Sequence, residues 1–178
     1  MIHPIVGLSL SLFLAVILLS AASHKLRARH RFARQIEDYA LLPKWTIGAA
    51  SRLLPIAEVL VALALLVPAL RPVGAIAAAV LLAVYTAAIT INLIRGRRDI
   101  DCGCSGPGLE RPLGVPLIVR NAVLLAMAGL VALPASDAAL HGFGLFLIVA
   151  CVAAGLILYT ATEGLLANQP RLKSLSGR

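Results

Sequence analysis

Cys102 and Cys104 stand one glycine apart in the run "DCGCSG" at 101–106, and they are two of only three cysteines in the chain. The α-carbons of a Cys-x-Cys unit lie within about 7 Å of each other, and a disulfide needs roughly 4.4–6.8 Å. A bridge is therefore within reach, and Gly103 supplies the backbone freedom that so small a ring demands. Strain makes a disulfide easier to reduce, so such a pair suits exchange better than permanent stapling. Arg97, Arg98 and Arg120 favour thiolate, whereas Asp99 and Asp101 oppose it. Zinc is one rival, but a structural site wants four ligands and there is no second cysteine pair. His24, His30, Asp99 or Asp101 would have to complete it, and no metal is assigned. A tight turn with idle thiols is the other alternative.

The elements that must position this pair are apolar. Of 178 residues, 60% are hydrophobic and 13% charged, with a mean hydropathy of +0.94. A soluble domain of this size cannot cover so much apolar surface with so few charges; lipid can. Five uninterrupted runs, 5–22, 53–70, 73–94, 115–133 and 143–162, are each long enough to approach the ~30 Å hydrocarbon thickness at about 1.5 Å rise per residue. The expectation is a single all-α integral membrane domain, 1–178, with a bundle of about five transmembrane helices. The first run has no lysine or arginine before it and exceeds the usual ~7–15 apolar residues of a signal sequence, so it reads as a retained helix.

The net charge of +8 is a matter of placement. With five spans, one face receives fifteen basic residues, from Lys25 to Arg52, from Arg95 to Arg120 and in the tail, and the other face receives only Arg71. Basic loops stay in the cytoplasm, which puts the N-terminus outside and the C-terminus inside. Nucleic acid is excluded as a partner because no basic module with stacking aromatics is present. The lipid bilayer is the neighbour instead. The segment "HKLRARHRFARQIEDYALLPKW" reads as an amphipathic connection on the inner surface, with Trp45 as an interfacial anchor.

Ionisable and amide groups inside spans are expensive and usually face a bundle interior. Glu58 lies one turn past Pro55; Arg120 and Asn121 lie one turn past Pro116; Asn92 and His24 come in at the same depth from the third and first spans. All converge beneath the Cys102–Cys104 loop, with Glu58 and Arg120 expected to neutralise each other as an ion pair. Cys151 sits mid-span among Val149, Ala150, Val152 and Ala153, as a small apolar filler.

The string "NLIRGRRDIDCGCSG" followed by "VPLIVRNAVLL", with "FARQIEDYALLP" and "LLPIAEVLVALALL" upstream, resembles the methylamine utilisation protein MauE family within the wider MauE/DoxX-like group. The likeness covers nearly the whole chain and is most specific at the Cys-Gly-Cys and the downstream Arg120-Asn121. One departure is Ser105, where the family commonly has phenylalanine, and it bears on the packing of the loop rather than on thiol chemistry. The resemblance implies a redox-associated protein of the bacterial inner (plasma) membrane. It would assist maturation of the disulfide-rich small subunit of periplasmic methylamine dehydrogenase, working with a thioredoxin-like partner. Cys102 and Cys104 would be the redox pair. Two other classes remain: a small carrier or quinone-associated subunit using Glu58, Asn92, Arg120 and Asn121, for which a quinone is the cofactor called for, and a non-catalytic assembly factor that docks a partner.

Overall fold

The structure is a computed structural model, and it describes residues 2–97, 100, 113–134, 136 and 142–175, with side chains as far as Asn168. Cys102, Cys104 and Ser105 lie outside the described residues. Six helices follow one another: α1 (Pro4–Arg27), α2 (Arg29–Tyr39), α3 (Lys44–Leu66), α4 (Arg71–Ile94), α5 (Val115–Val131) and α6 (Gly142–Leu175), with a 3₁₀ turn at Pro68–Leu70. The only extended pairing among the described residues is at Ile2, whose N–H donates to Pro134 O (3.0 Å) and whose carbonyl accepts from Ser136 N–H (2.9 Å).

The chain is an all-α membrane protein. Among the described residues, four helical stretches are long and apolar enough to cross a bilayer, and α5 is a shorter apolar helix. Their outward faces carry large hydrophobic side chains such as Leu53, Leu60, Val73, Ile76, Phe143 and Ile157, the reverse of a water-soluble surface. Helix bounds differ from the apolar runs where backbone chemistry and hydropathy part company. α3 begins at Lys44 rather than Leu53, because Pro43 caps it and nothing in the polar stretch to Arg52 breaks the ladder. It ends at Leu66 rather than Leu70, because Val67, which precedes Pro68, is held extended. α6 runs well beyond Thr162, to Leu175. The connection after α1 is helical as expected: Ala28 interrupts the chain, and α2 buries only Phe32 while Arg29, His30 and Arg34 face out.

α3 and α4 form an antiparallel hairpin, α1 packs mainly against α3, α5 against α4, and α6 against α1. The core runs along one seam of each helix: Leu14, Leu18 and Ala22 in α1, Ala62 and Leu65 in α3, Ala75, Ala78 and Leu82 in α4, Leu124, Ala128 and Val131 in α5. Lipid provides no hydrophobic force between helices, so association depends on close packing of small residues and on polar ties. Gly74 lets α4 lie against the α3 backbone. A Cβ there would lie 2.8 Å from the Leu65 backbone nitrogen and 2.9 Å from the Ala64 carbonyl carbon.

Gly74→Val should therefore pry α4 from α3 and lower the thermal unfolding midpoint in detergent by several degrees, whereas Gly129→Val, where a Cβ meets nothing within 4 Å, should leave it nearly unchanged. Equal midpoints for the two variants would contradict the close approach.

Candidate functional site

The buried seams become polar toward one end of the bundle. In α1 the inward positions Gly7, Ser11, Leu14, Leu18 and Ala22 continue one turn further to Lys25, which is 4% exposed. In α3 the seam of Ser51, Pro55, Ala62 and Leu65 includes Glu58, fully buried. Pro55 cannot donate to the Ser51 carbonyl, so the helix lacks one rung a turn before the carboxylate.

Lys25 Nζ forms a buried ion pair with Glu58 Oε1. Tyr85 of α4 donates its hydroxyl to the same oxygen at 2.7 Å, and Lys25 Nζ sits 3.5 Å from the Tyr85 oxygen. The ammonium also lies over the Tyr85 ring (4.7 Å to the centroid) and the Phe32 ring (5.2 Å), so α2 closes over the pair from outside. A second ion pair joins α5 to α6: Arg120 Nη1 donates to Glu163 Oε1 at 3.4 Å. The same guanidinium donates through Nε (3.2 Å) and Nη2 (3.0 Å) to Asn121 Oδ1.

Glu58 and Arg120, expected to neutralise each other, each form an ion pair with a residue that the sequence reading did not single out: Lys25 on the seam of α1 for Glu58, and Glu163 of α6 for Arg120. Glu58, Arg120 and Asn121 do share one cavity, of about 240 Å³, together with His24, Lys25 and Glu163. Asn92 is elsewhere. It is fully buried at the end of α4, where Nδ2 donates to Ala88 O (3.1 Å) and Oδ1 accepts from Arg97 Nη1 (3.5 Å).

Asn92 belongs to the C-terminal end of α4. α4 stops in a Schellman arrangement: Gly96, at φ +75, donates to Leu93 O (3.0 Å) and Arg97 N–H donates to Asn92 O (3.0 Å). Past this stop Ile100 is buried, and the chain rejoins the bundle at Leu113, also buried. Both pack into one cluster with Ile89 and Leu117. Ile100 and Leu113 therefore both lie at the polar end. Cys151, by contrast, is exposed on the outward face of α6, so the expected filler is a surface thiol. Among the described residues no group of three His, Cys, Asp or Glu side chains could hold a metal.

Sequence reasoning missed Lys25, Tyr85 and Glu163 as site residues. Lys25 was legible from its spacing from Leu18 and Ala22, and Tyr85 from its spacing from Ala78 and Leu82; Glu163 carried only the signal of a lone carboxylate after a span.

Fold and side chains together define a multi-pass, all-α membrane protein with a charged, hydrogen-bonded interior at one end. The chain belongs to the methylamine utilisation protein MauE family, whose model matches residues 3–134. It is 38% identical over 182 residues to the methylamine utilization protein MauE of Paracoccus denitrificans, covering 100% of this chain and 98% of that one. With the protein of the same name from Methylophilus methylotrophus it shares 41% identity over 125 residues, 70% of this chain and 64% of the relative. The Paracoccus versutus protein is 37% identical over 126 residues, 71% and 68% of the two chains. No solved structure matches. The family region covers α1 to α5, and so all of the cavity except its α6 side, Tyr159, Thr160, Glu163 and Gly164.

A lone ion in a dry interior costs several kcal/mol, and breaking a buried pair typically costs about 3–5 kcal/mol. Lys25→Met and Glu58→Gln should each destabilise the protein by about 3 kcal/mol or more, and the double variant by clearly less than the sum, read from unfolding in detergent. Additive losses would show that the two side chains do not act as a pair.

Proposed function

We propose that this protein is a membrane thiol–disulfide redox protein that assists maturation of a disulfide-bearing client in methylamine utilisation, with the methylamine dehydrogenase small subunit as that client. Cys102 and Cys104 are the exchanging pair, Glu58, Arg120 and Asn121 form the supporting polar site, and Asn92, set apart from that cavity, supports the end of α4. A thiolate of a reduced thioredoxin-like partner attacks the Cys102–Cys104 disulfide, and the partner's second thiolate resolves the mixed disulfide, which leaves the partner oxidised and Cys102 and Cys104 as a dithiol. The observation that supports this reading is that Ile100 and Leu113, the described residues nearest to Cys102 and Cys104 in the chain on either side, are buried in one cluster at the polar end of the bundle, with Asn92 and Arg97 fixing the end of α4.

Sidedness follows charge. Lys25, Arg27, Arg29, Arg34, Lys44, Arg95 and Arg97 all stand at the end of the bundle opposite Ile2 and Arg71. In the bacterial inner membrane that end is cytoplasmic, with the N-terminus outside and α5 as a fifth crossing. Client disulfides form on the other side, so reducing equivalents have to cross the bilayer.

Acid quenching of cells followed by alkylation tests the reading. A fraction of the wild-type chain should carry a Cys102–Cys104 bridge that reductant opens, Cys151→Ser should behave like wild type, and Cys104→Ser should accumulate a mixed disulfide through Cys102. Both thiols fully reduced under every growth condition, with no adduct in either single variant, would rule the exchange out.

A further inference from the structure

Asn121 carries a hydrogen-bond donor that the protein leaves unused. Its Oδ1 takes two bonds from Arg120, which fixes the orientation of the amide. Nδ2 is then buried without a hydrogen-bond partner among the described residues, in a side chain only 1% exposed. Buried donors are nearly always satisfied, and this one lines the cavity of about 240 Å³ between α1, α4, α5 and α6.

The cavity specifies its occupant by charge, shape and access. Its two cations, Lys25 and Arg120, are matched by Glu58 and Glu163, so a charged ligand would meet no net opposite charge and would lose its hydration. The occupant is neutral and offers an acceptor to Asn121. Tyr85 and Tyr159 are among the lining residues, and aromatic neighbours favour a flat, conjugated group. Tyr159 is itself held edge-on by Phe13, at 6.1 Å between centroids. Ser20 and Thr160, both exposed, form the rim on the outer surface between α1 and α6, where a membrane-dissolved molecule arrives directly from the bilayer. An acyl chain would leave the amide unsatisfied, and a phospholipid head would bring charge. A neutral ring with carbonyl acceptors on a lipid-soluble tail meets every condition.

We propose that this cavity binds the head of a membrane quinone, with Asn121 Nδ2 donating to one of its carbonyl oxygens. The consequence for the cell rests on the redox reading above: a Cys102, Cys104 dithiol would give up two electrons and two protons to the quinone, leaving a disulfide and a quinol. The binding itself does not depend on the thiols.

The test is equilibrium dialysis of a short-tailed benzoquinone against the full-length protein in detergent, stripped of endogenous lipid. The wild-type protein should bind saturably at one site per chain. Asn121→Leu should weaken binding about tenfold, equivalent to about 1.4 kcal/mol. Ser20→Phe, which adds bulk at an exposed rim and leaves the core untouched, should weaken it at least as much. The Cys102→Ser, Cys104→Ser double variant should bind like wild type. Quinone binding together with a failed thiol-trapping experiment would remove the redox reading and leave the site standing. Absence of saturable binding, wild-type affinity in both Asn121→Leu and Ser20→Phe, or equal displacement of the quinone by phospholipid would overturn the site.

Discussion

A lysine ammonium and a glutamate carboxylate, both cut off from solvent, meet where α1, α3 and α4 pack together. In hydrocarbon there is no gain from hiding apolar surface between helices, so helix registers are set by small-residue contacts and by polar groups that have nowhere else to go. Lys25 and Glu58 act as such a lock, and Tyr85 binds the third helix to the same carboxylate oxygen. Near the far end Gly74, Ala75 and Ala78 let α4 lie against α3 at backbone distance. One tie is electrostatic and the other steric. Together they define the hairpin and the position of α1 on it.

The same lock shapes the site. Arg120 and Glu163 repeat the device between α5 and α6, and because the two pairs stand on different helices they frame a space instead of filling it. Net neutrality of that frame makes it hospitable to neutral molecules and hostile to ions. A larger, mostly apolar cavity of about 370 Å³ lies on the other side of Lys25 and Tyr85, under α2, which leaves the pair as a thin partition between two voids. Beyond it, the Schellman stop after α4 and the buried Ile100 and Leu113 lie at the same end of the molecule. These are the described residues nearest in the chain to Cys102 and Cys104, and under the proposed function a thiol pair and the polar interior would work together there.

Much of this was legible from the chain. Apolar runs located the spans because hydrocarbon thickness demands length, and Glu58, Arg120 and Asn121 were recognisable because lipid tolerates such groups only inside a bundle. The pairings were not. Which cation reaches Glu58 depends on helix rotation and crossing, and a hydropathy profile treats Lys25 as the end of a span although it lies on the buried seam with Leu18 and Ala22. Asn92 shows the opposite failure: its depth was right, but its amide turns to Arg97 and the α4 terminus and not to the cavity. The start of α3 at Lys44 was hidden because hydropathy reports immersion, whereas a helix continues wherever backbone bonds do. The orphaned Nδ2 of Asn121 could not be read at all, since it exists only because Arg120 folds back onto its neighbour.

Central to the account is that Cys102 and Cys104 serve the disulfides of another protein. The most direct measurement is the disulfide content of the methylamine dehydrogenase small subunit isolated from cells whose only MauE-family protein is this chain, compared with cells carrying the Cys102→Ser, Cys104→Ser double variant at equal membrane abundance. The account predicts a completely bridged subunit in the first case and an incompletely or wrongly bridged, poorly accumulating one in the second. A correctly bridged subunit at normal abundance in the variant cells would contradict it.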